Sequence, residues 1–294
     1  MHAVRVDKEL NEESGGEIMA FLKLQYKSAA LMRGITVNIY LPSDAMSGEV
    51  TEPPYRTVYF LPGYSADSTE IMTYLGMRRE CELKGIAIVI PDGCNSFYVD
   101  HEKRGTCFST FVGKELVETT RKFLPLSHRR EDTYIGGISM GGYGALYNGL
   151  RFRDTFSKIA ALSPSADCCD LLCGHADAGF QEEIFANTFG SREAYYEGDT
   201  NLVKFYQETA AKEREMIPEL FIACGVQDGL VYPAVEKFMK GLDDGCIPYI
   251  YRGGNGSHEL DYWERMLDPT FSFLTGIKEG TKDRLVLNLP ENER

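Results

Sequence analysis

Gly137-Ile138-Ser139-Met140-Gly141 sets one serine between two glycines, inside an eleven-residue stretch, YIGGISMGGYG, that holds five glycines. A serine hydroxyl is a weak nucleophile until its backbone lifts it clear of its neighbours and a base takes its proton. The G-x-S-x-G spacing serves the first need. A strained turn exposes Oγ, and glycines two residues to either side leave room for that turn. The chemistry this spacing supports is acyl transfer through a serine ester.

A base and an orienting acid must then come from elsewhere in the chain. Of five histidines, only His175 and His258 follow Ser139. His258 stands in GGNGSHEL, directly after a β-like run and just before a final amphipathic segment. His175 precedes every later strand and falls in an irregular polar stretch, so His258 is the better-placed base. Asp228, in LFIACGVQDGL, lies in the turn after the intervening strand, flanked by Gly225 and Gly229. Asp243 and Asp244 are its rivals, read as solvated residues at a helix end. The order serine, aspartate, histidine is the one that accompanies G-x-S-x-G on strand–turn–helix scaffolds. Two N–H groups are also needed for the developing oxyanion. Met140, next after the nucleophile, supplies one; the second falls to Tyr64 in LPGYSAD, where Gly63 lets the backbone come close.

Such residues need a rigid frame. MAFLKLQYKS alternates apolar and polar residues as a half-buried strand does, and GITVNIYLP and RTVYFLPG are β-branched and aromatic runs closed by Pro or Gly. Thr69–Gly85 reads as one helix, IAIVIPDG as a strand buried on both faces, and Ser109–Leu124 as a second helix. DTYIGG leads into Ser139, a helix follows it, and SKIAALSPS, PELFIACG and IPYIYRGG are later strands. A helix lies around Ala234–Gly241, and ELDYWERML is the last. This alternation predicts an α/β fold: a mostly parallel sheet with an antiparallel start, covered by helices on both faces. Residues 166–218, polar and partly helical, have no assignable sheet role and form an excursion above it. Residues 1–18 read as a charged, poorly ordered extension, and 19–294 as a single domain.

The formal net charge is -13, and no basic stripe exists to engage phosphates, which excludes a nucleic-acid partner and an anionic membrane surface. No apolar run is long enough to span a bilayer, and the N-terminus lacks a signal-peptide core, so a cytoplasmic protein is expected. The eight cysteines then read as reduced thiols. Cys168, Cys169, Cys173 and His175 are clustered, but without Cys-x2-Cys spacing or a second ligand pair they do not form a zinc motif.

At these residues the chain resembles the esterase D-like branch of the α/β-hydrolases, which includes tributyrin-type, feruloyl and acetyl-xylan esterases, S-formylglutathione hydrolases and mycolyltransferases. The resemblance runs from about Met19 to Phe273. Seven blocks carry it in order: VNIYLP, YFLPGYSAD, VIPDGCNSFYVD, GGISMGGYGAL, IAALSPS, CGVQDGL and GSHELDYWE. It implies an α/β-hydrolase fold and a serine esterase needing no metal or cofactor, with Ser139, Asp228 and His258 as triad. It implies Tyr64 and Met140 as oxyanion donors, and Phe97, Tyr98 and Trp263 as candidates for contact with substrate. Pro62-Gly63 departs from the His-Gly frequent in relatives, and the loop lacks the Thr-Cys of S-formylglutathione hydrolases. The implied substrate is a small-molecule or oligosaccharide ester with a short acyl, acetyl or feruloyl-type group, and a homo-oligomer is compatible with this reading. Thioester hydrolysis, acyl transfer to an alcohol and a silent binding module are the alternatives.

Overall fold

The computed structural model describes residues 20–42, 52–101, 105–174 and 179–280. The expected 1–18 extension and His175 lie outside the described residues.

Eight strands form one sheet: β1 (Ala20–Ser28), β2 (Arg33–Leu41), β3 (Thr57–Leu61), β4 (Ala87–Pro91), β7 (Thr133–Ile138), β8 (Lys158–Leu162), β9 (Glu219–Ala223) and β10 (Ile250–Arg252). Two-residue strands β5 (Asp100–His101) and β6 (Thr106–Cys107) pair apart from it. The sheet order is β1-β2-β4-β3-β7-β8-β9-β10. β1 and β2 pair antiparallel, as do β2 and β4; every later pairing is parallel. The sheet is therefore mainly parallel with an antiparallel start, as the alternation predicts.

Its central strands are buried along almost their whole length because both faces are covered. Side chains alternate between two core clusters, as the two-residue period of a strand requires. Tyr59, Leu61, Val89 and Ile135 face one cluster, while Val58, Phe60, Ile88 and Ile138 face the other. The first is closed by α5 (Met140–Arg151), α9 (Leu202–Glu213) and α10 (Tyr232–Asp244), together with a continuous run of α3 (Phe108–Thr110), a π-helical turn (Phe111–Glu115) and α4 (Leu116–Phe123). The second is closed by α1 (Ser68–Tyr74), α2 (Met77–Lys84) and α11 (Leu260–Thr275).

One expected helix is two. Thr69–Gly85 breaks between α1 and α2, where Leu75 turns extended with φ -115° and ψ 145°. The cause is remote in sequence: Glu264 of α11 accepts the Gly76 N–H at 2.8 Å. Residues 166–218 contribute no strand among those described. They hold α6 (Cys168–Cys173), α7 (Gly179–Phe189), α8 (Arg192–Glu197) and α9, with Asp167, Ser191 and Asn201 capping α6, α8 and α9. No helix among the described residues is long and apolar enough to cross a membrane.

Candidate active site

β7 ends and α5 begins at Ser139, which sits at φ 57° and ψ -117°. A positive φ is costly for a residue with a Cβ, so the neighbours must hold it there. The Ser139 N–H donates to Leu162 O at 2.9 Å, and its carbonyl accepts from Tyr143 and Ser165 at 3.0 and 3.1 Å. The flanking glycines are required by close approach. A Cβ on Gly137 would stand 2.3 Å from Gly141 O, and one on Gly141 would stand 1.9 Å from Leu61 O. Both contacts are to backbone, which cannot move aside.

His258 comes from the loop between β10 and α11, and Asp228 from the turn between β9 and α10. The two loops are laced together: Val226 N–H donates to Gly254 O and Gln227 N–H to Gly256 O, both at 3.0 Å. His258 Nε2 lies 2.9 Å from Ser139 Oγ, and His258 Nδ1 lies 2.8 Å from Asp228 Oδ2. The structure thus brings Ser139, His258 and Asp228 into one hydrogen-bonded chain. Asp243 and Asp244 end α10, away from it.

Asp228 is fully buried, and Oδ1 accepts the N–H groups of Leu230 and Val231, each at 3.2 Å. Burial pushes its carboxyl up, but the bond to and charge of His258, with Val231 N–H and the Ser163 hydroxyl, outweigh burial and hold it below the ordinary aspartate value. A carboxylate so held stays ionised and can fix the imidazole with its Nδ1 proton inward, leaving Nε2 as acceptor for the serine proton. Ser163, which sequence reasoning missed, also accepts from Trp263 Nε1 at 3.2 Å. The Trp263 ring meets His258 edge to face at 5.1 Å. Trp263 therefore packs against the histidine and tethers it to the aspartate's own partner.

The loop after β3 passes beside the nucleophile: a Cβ on Gly63 would lie 3.5 Å from Ser139 Cβ, an ordinary contact. The N–H groups of Tyr64 and Met140 have no hydrogen-bond partner among the described residues. Phe97 and Tyr98 correct an expectation. They were expected to line a pocket, but Phe97 is 1% and Tyr98 0% exposed. Phe97 packs between Tyr64 and Tyr143, with ring centroids 5.9 and 6.2 Å away. The Tyr98 hydroxyl donates to Pro62 O at 2.9 Å. Both meet the loop after β3, on a 92–98 segment that coils through positive φ at four non-glycine residues. Cys168, Cys169 and Cys173, on α6, are buried in the core, and no metal-holding cluster occurs among the described residues.

The Esterase family model matches residues 28–265. An acetyl esterase of Caldicellulosiruptor saccharolyticus is 32% identical over 277 residues, which cover 89% of this chain and 100% of that protein. Among solved structures, the substrate-bound fluorophosphonate-binding serine hydrolase F of Staphylococcus aureus superposes with a TM-score of 0.76 at 26% identity, covering 88% of this chain and 99% of that one. An S-formylglutathione hydrolase (FrmB) of the same organism gives 0.75 at 27% identity, covering 88% of this chain and 100% of that one.

Proposed function

The chain belongs to the Esterase family, as a serine carboxylesterase on an α/β-hydrolase fold, and from that premise we propose that Ser139, His258 and Asp228 are its catalytic triad and that short-acyl esters, acetyl esters first, are its substrates. The observation that carries the triad is the unbroken 2.9 and 2.8 Å chain from a strained serine through an imidazole to a buried, ionised carboxylate. The acetyl assignment is supported by the similarity to the acetyl esterase over nearly the whole chain.

Ser139 Oγ attacks the ester carbonyl carbon while His258 Nε2 takes its proton. Asp228 keeps the Nδ1 proton in place and balances the imidazolium charge. The carbonyl oxygen becomes an oxyanion that Tyr64 and Met140 N–H receive; a preorganised donor of this kind contributes on the order of 10²–10³ in rate. His258 then protonates the leaving alcohol, and a water activated by the same imidazole releases the acid. An acyl thioester offers the same carbonyl with a better leaving group. The similarity to the S-formylglutathione hydrolase favours it as the second substrate class.

Rates on p-nitrophenyl esters from acetate to octanoate, a feruloyl ester and an acyl thioester test this reading. We expect the acetate to be turned over fastest and Ser139→Ala to abolish every rate. A folded wild type inactive on all of them would contradict it.

A further inference from the structure

The two N–H groups proposed for the oxyanion belong to different parts of the chain. Tyr64 lies on the loop after β3, and Met140 is the first residue of α5. An oxyanion hole works only if the spacing between its donors is fixed before the reaction, since donors that relax on demand lose their advantage over water. Something must therefore hold the loop against the helix.

Tyr98 touches both. Its hydroxyl donates to Pro62 O at 2.9 Å, two residues before Tyr64. Its carbonyl accepts from Asn148 Nδ2 on α5 at 3.0 Å. Its ring occupies a slot left by glycine on α5: a Cβ on Gly144 would stand 2.3 Å from Tyr98 Cδ2. Gly93 clears the other end, where a Cβ would stand 2.1 Å from the hydroxyl. Burial pushes the phenol well above its ordinary value, which keeps the proton it donates.

The backbone is shaped to deliver this residue. Cys94, Asn95, Phe97 and Tyr98 all have φ between 49° and 56°. Asparagine visits this region readily, whereas phenylalanine and tyrosine do so at a steric cost. The same segment makes further ties to the loop. Asn95 Oδ1 accepts the Ser65 N–H at 2.6 Å, and Asp92 Oδ1 accepts from Ser68 N–H and Oγ at 2.9 and 2.6 Å. Pro62 and Ser65 thus anchor the chain on either side of Tyr64.

We propose that Tyr98, assisted by Asn95, is a positioning residue: a strut that sets the distance between the Tyr64 and Met140 amides and so tunes transition-state binding without touching the substrate. This rests on the triad and oxyanion reading above. Tyr98→Phe keeps the ring in its slot and removes only the bond to Pro62 O. Asn95→Ala removes the tie at Ser65 from a solvent-exposed side chain.

The test is steady-state hydrolysis of p-nitrophenyl acetate, together with inhibition by phenylboronic acid. The serine adduct of that probe puts a boronate oxygen where the oxyanion forms. For Tyr98→Phe we expect kcat to fall about tenfold, KM to stay within about twofold and the boronate Ki to rise about tenfold, a fraction of the loss from deleting a donor outright. Asn95→Ala moves kcat and Ki the same way by about threefold. Unchanged kcat in both variants, or a fall in kcat with an unchanged boronate Ki, overturns the strut. Should Tyr98→Phe fail to fold, Asn95→Ala decides alone. A wild type that is active, and silenced by Ser139→Ala, but whose two strut variants behave as wild type refutes the strut and leaves the esterase reading standing. A folded wild type with no activity refutes both.

Discussion

Asp228 and Glu80 are both fully buried carboxylates, and they are displaced from their ordinary values in opposite directions. Asp228 is met by an imidazole, two backbone N–H groups and a serine hydroxyl, and it is held below its ordinary value. Glu80, in α2 beneath α11, has a bond to the Arg79 guanidinium at 3.0 Å on one oxygen. Its Oε2 has no hydrogen-bond partner among the described residues. Burial raises it from 4.5 to about 7, against the lowering by Arg79. Burial alone therefore does not decide the state of a carboxylate; the donors and charges that face it do. The pair separates a carboxylate with donors on both oxygens from one that leaves an oxygen unpartnered in the core.

The two can be pulled apart experimentally. The largest expected effect is at the nucleophile end: Ser139→Ala and His258→Ala should each lower kcat by about 10⁴–10⁶ with little change in Tm, read by ester hydrolysis and calorimetry. Asp228→Asn keeps the shape but presents the wrong hydrogen-bond polarity to His258, and kcat should fall on the order of 10⁴. It should also flatten the acid limb of the stability profile. Since the native carboxyl lies below its unfolded value, its contribution is present above the unfolded pKa and is lost as pH falls through the folded one. Glu80 gives the reverse sign. Its folded pKa is raised, so its contribution is complete below about 4.5 and is lost as pH rises through about 7. Urea titrations should find Glu80→Gln gaining on wild type by about 3 kcal/mol between pH 4.5 and 8, with kcat unaltered. The smallest effect is expected at the support of the pair. Trp263→Phe preserves the edge contact with His258 but loses the bond to Ser163, which should cost about 1 kcal/mol in stability and at most about threefold in kcat.

What was legible in the sequence is what local constraint writes there. The glycines around Ser139 are fixed by backbone atoms only a few residues or one strand away, so their spacing is a signature on its own. Asp228 and His258 stand out because their loops at strand ends are marked by glycine, on both sides of Asp228 and just before His258. The break between α1 and α2 was not legible, because the carboxylate that captures Gly76 lies on α11, 188 positions away. Phe97 and Tyr98 look like pocket aromatics in a linear reading. Only the positive φ of their own segment turns them inward, beneath the loop they follow in sequence. Within 166–218 a usable signal went unread: Asp167, Ser191 and Asn201 stand at helix starts with side chains that cap the first turn.

The central claim is that Ser139 is made nucleophilic by His258, itself held by Asp228. The direct measurement is intact-mass spectrometry after exposure to a fluorophosphonate, with peptide mapping of the adduct. The account predicts one adduct per chain, on Ser139, lost in Ser139→Ala and slowed by orders of magnitude in His258→Ala. An adduct on another residue, or labelling at Ser139 that is as fast without His258, would contradict it.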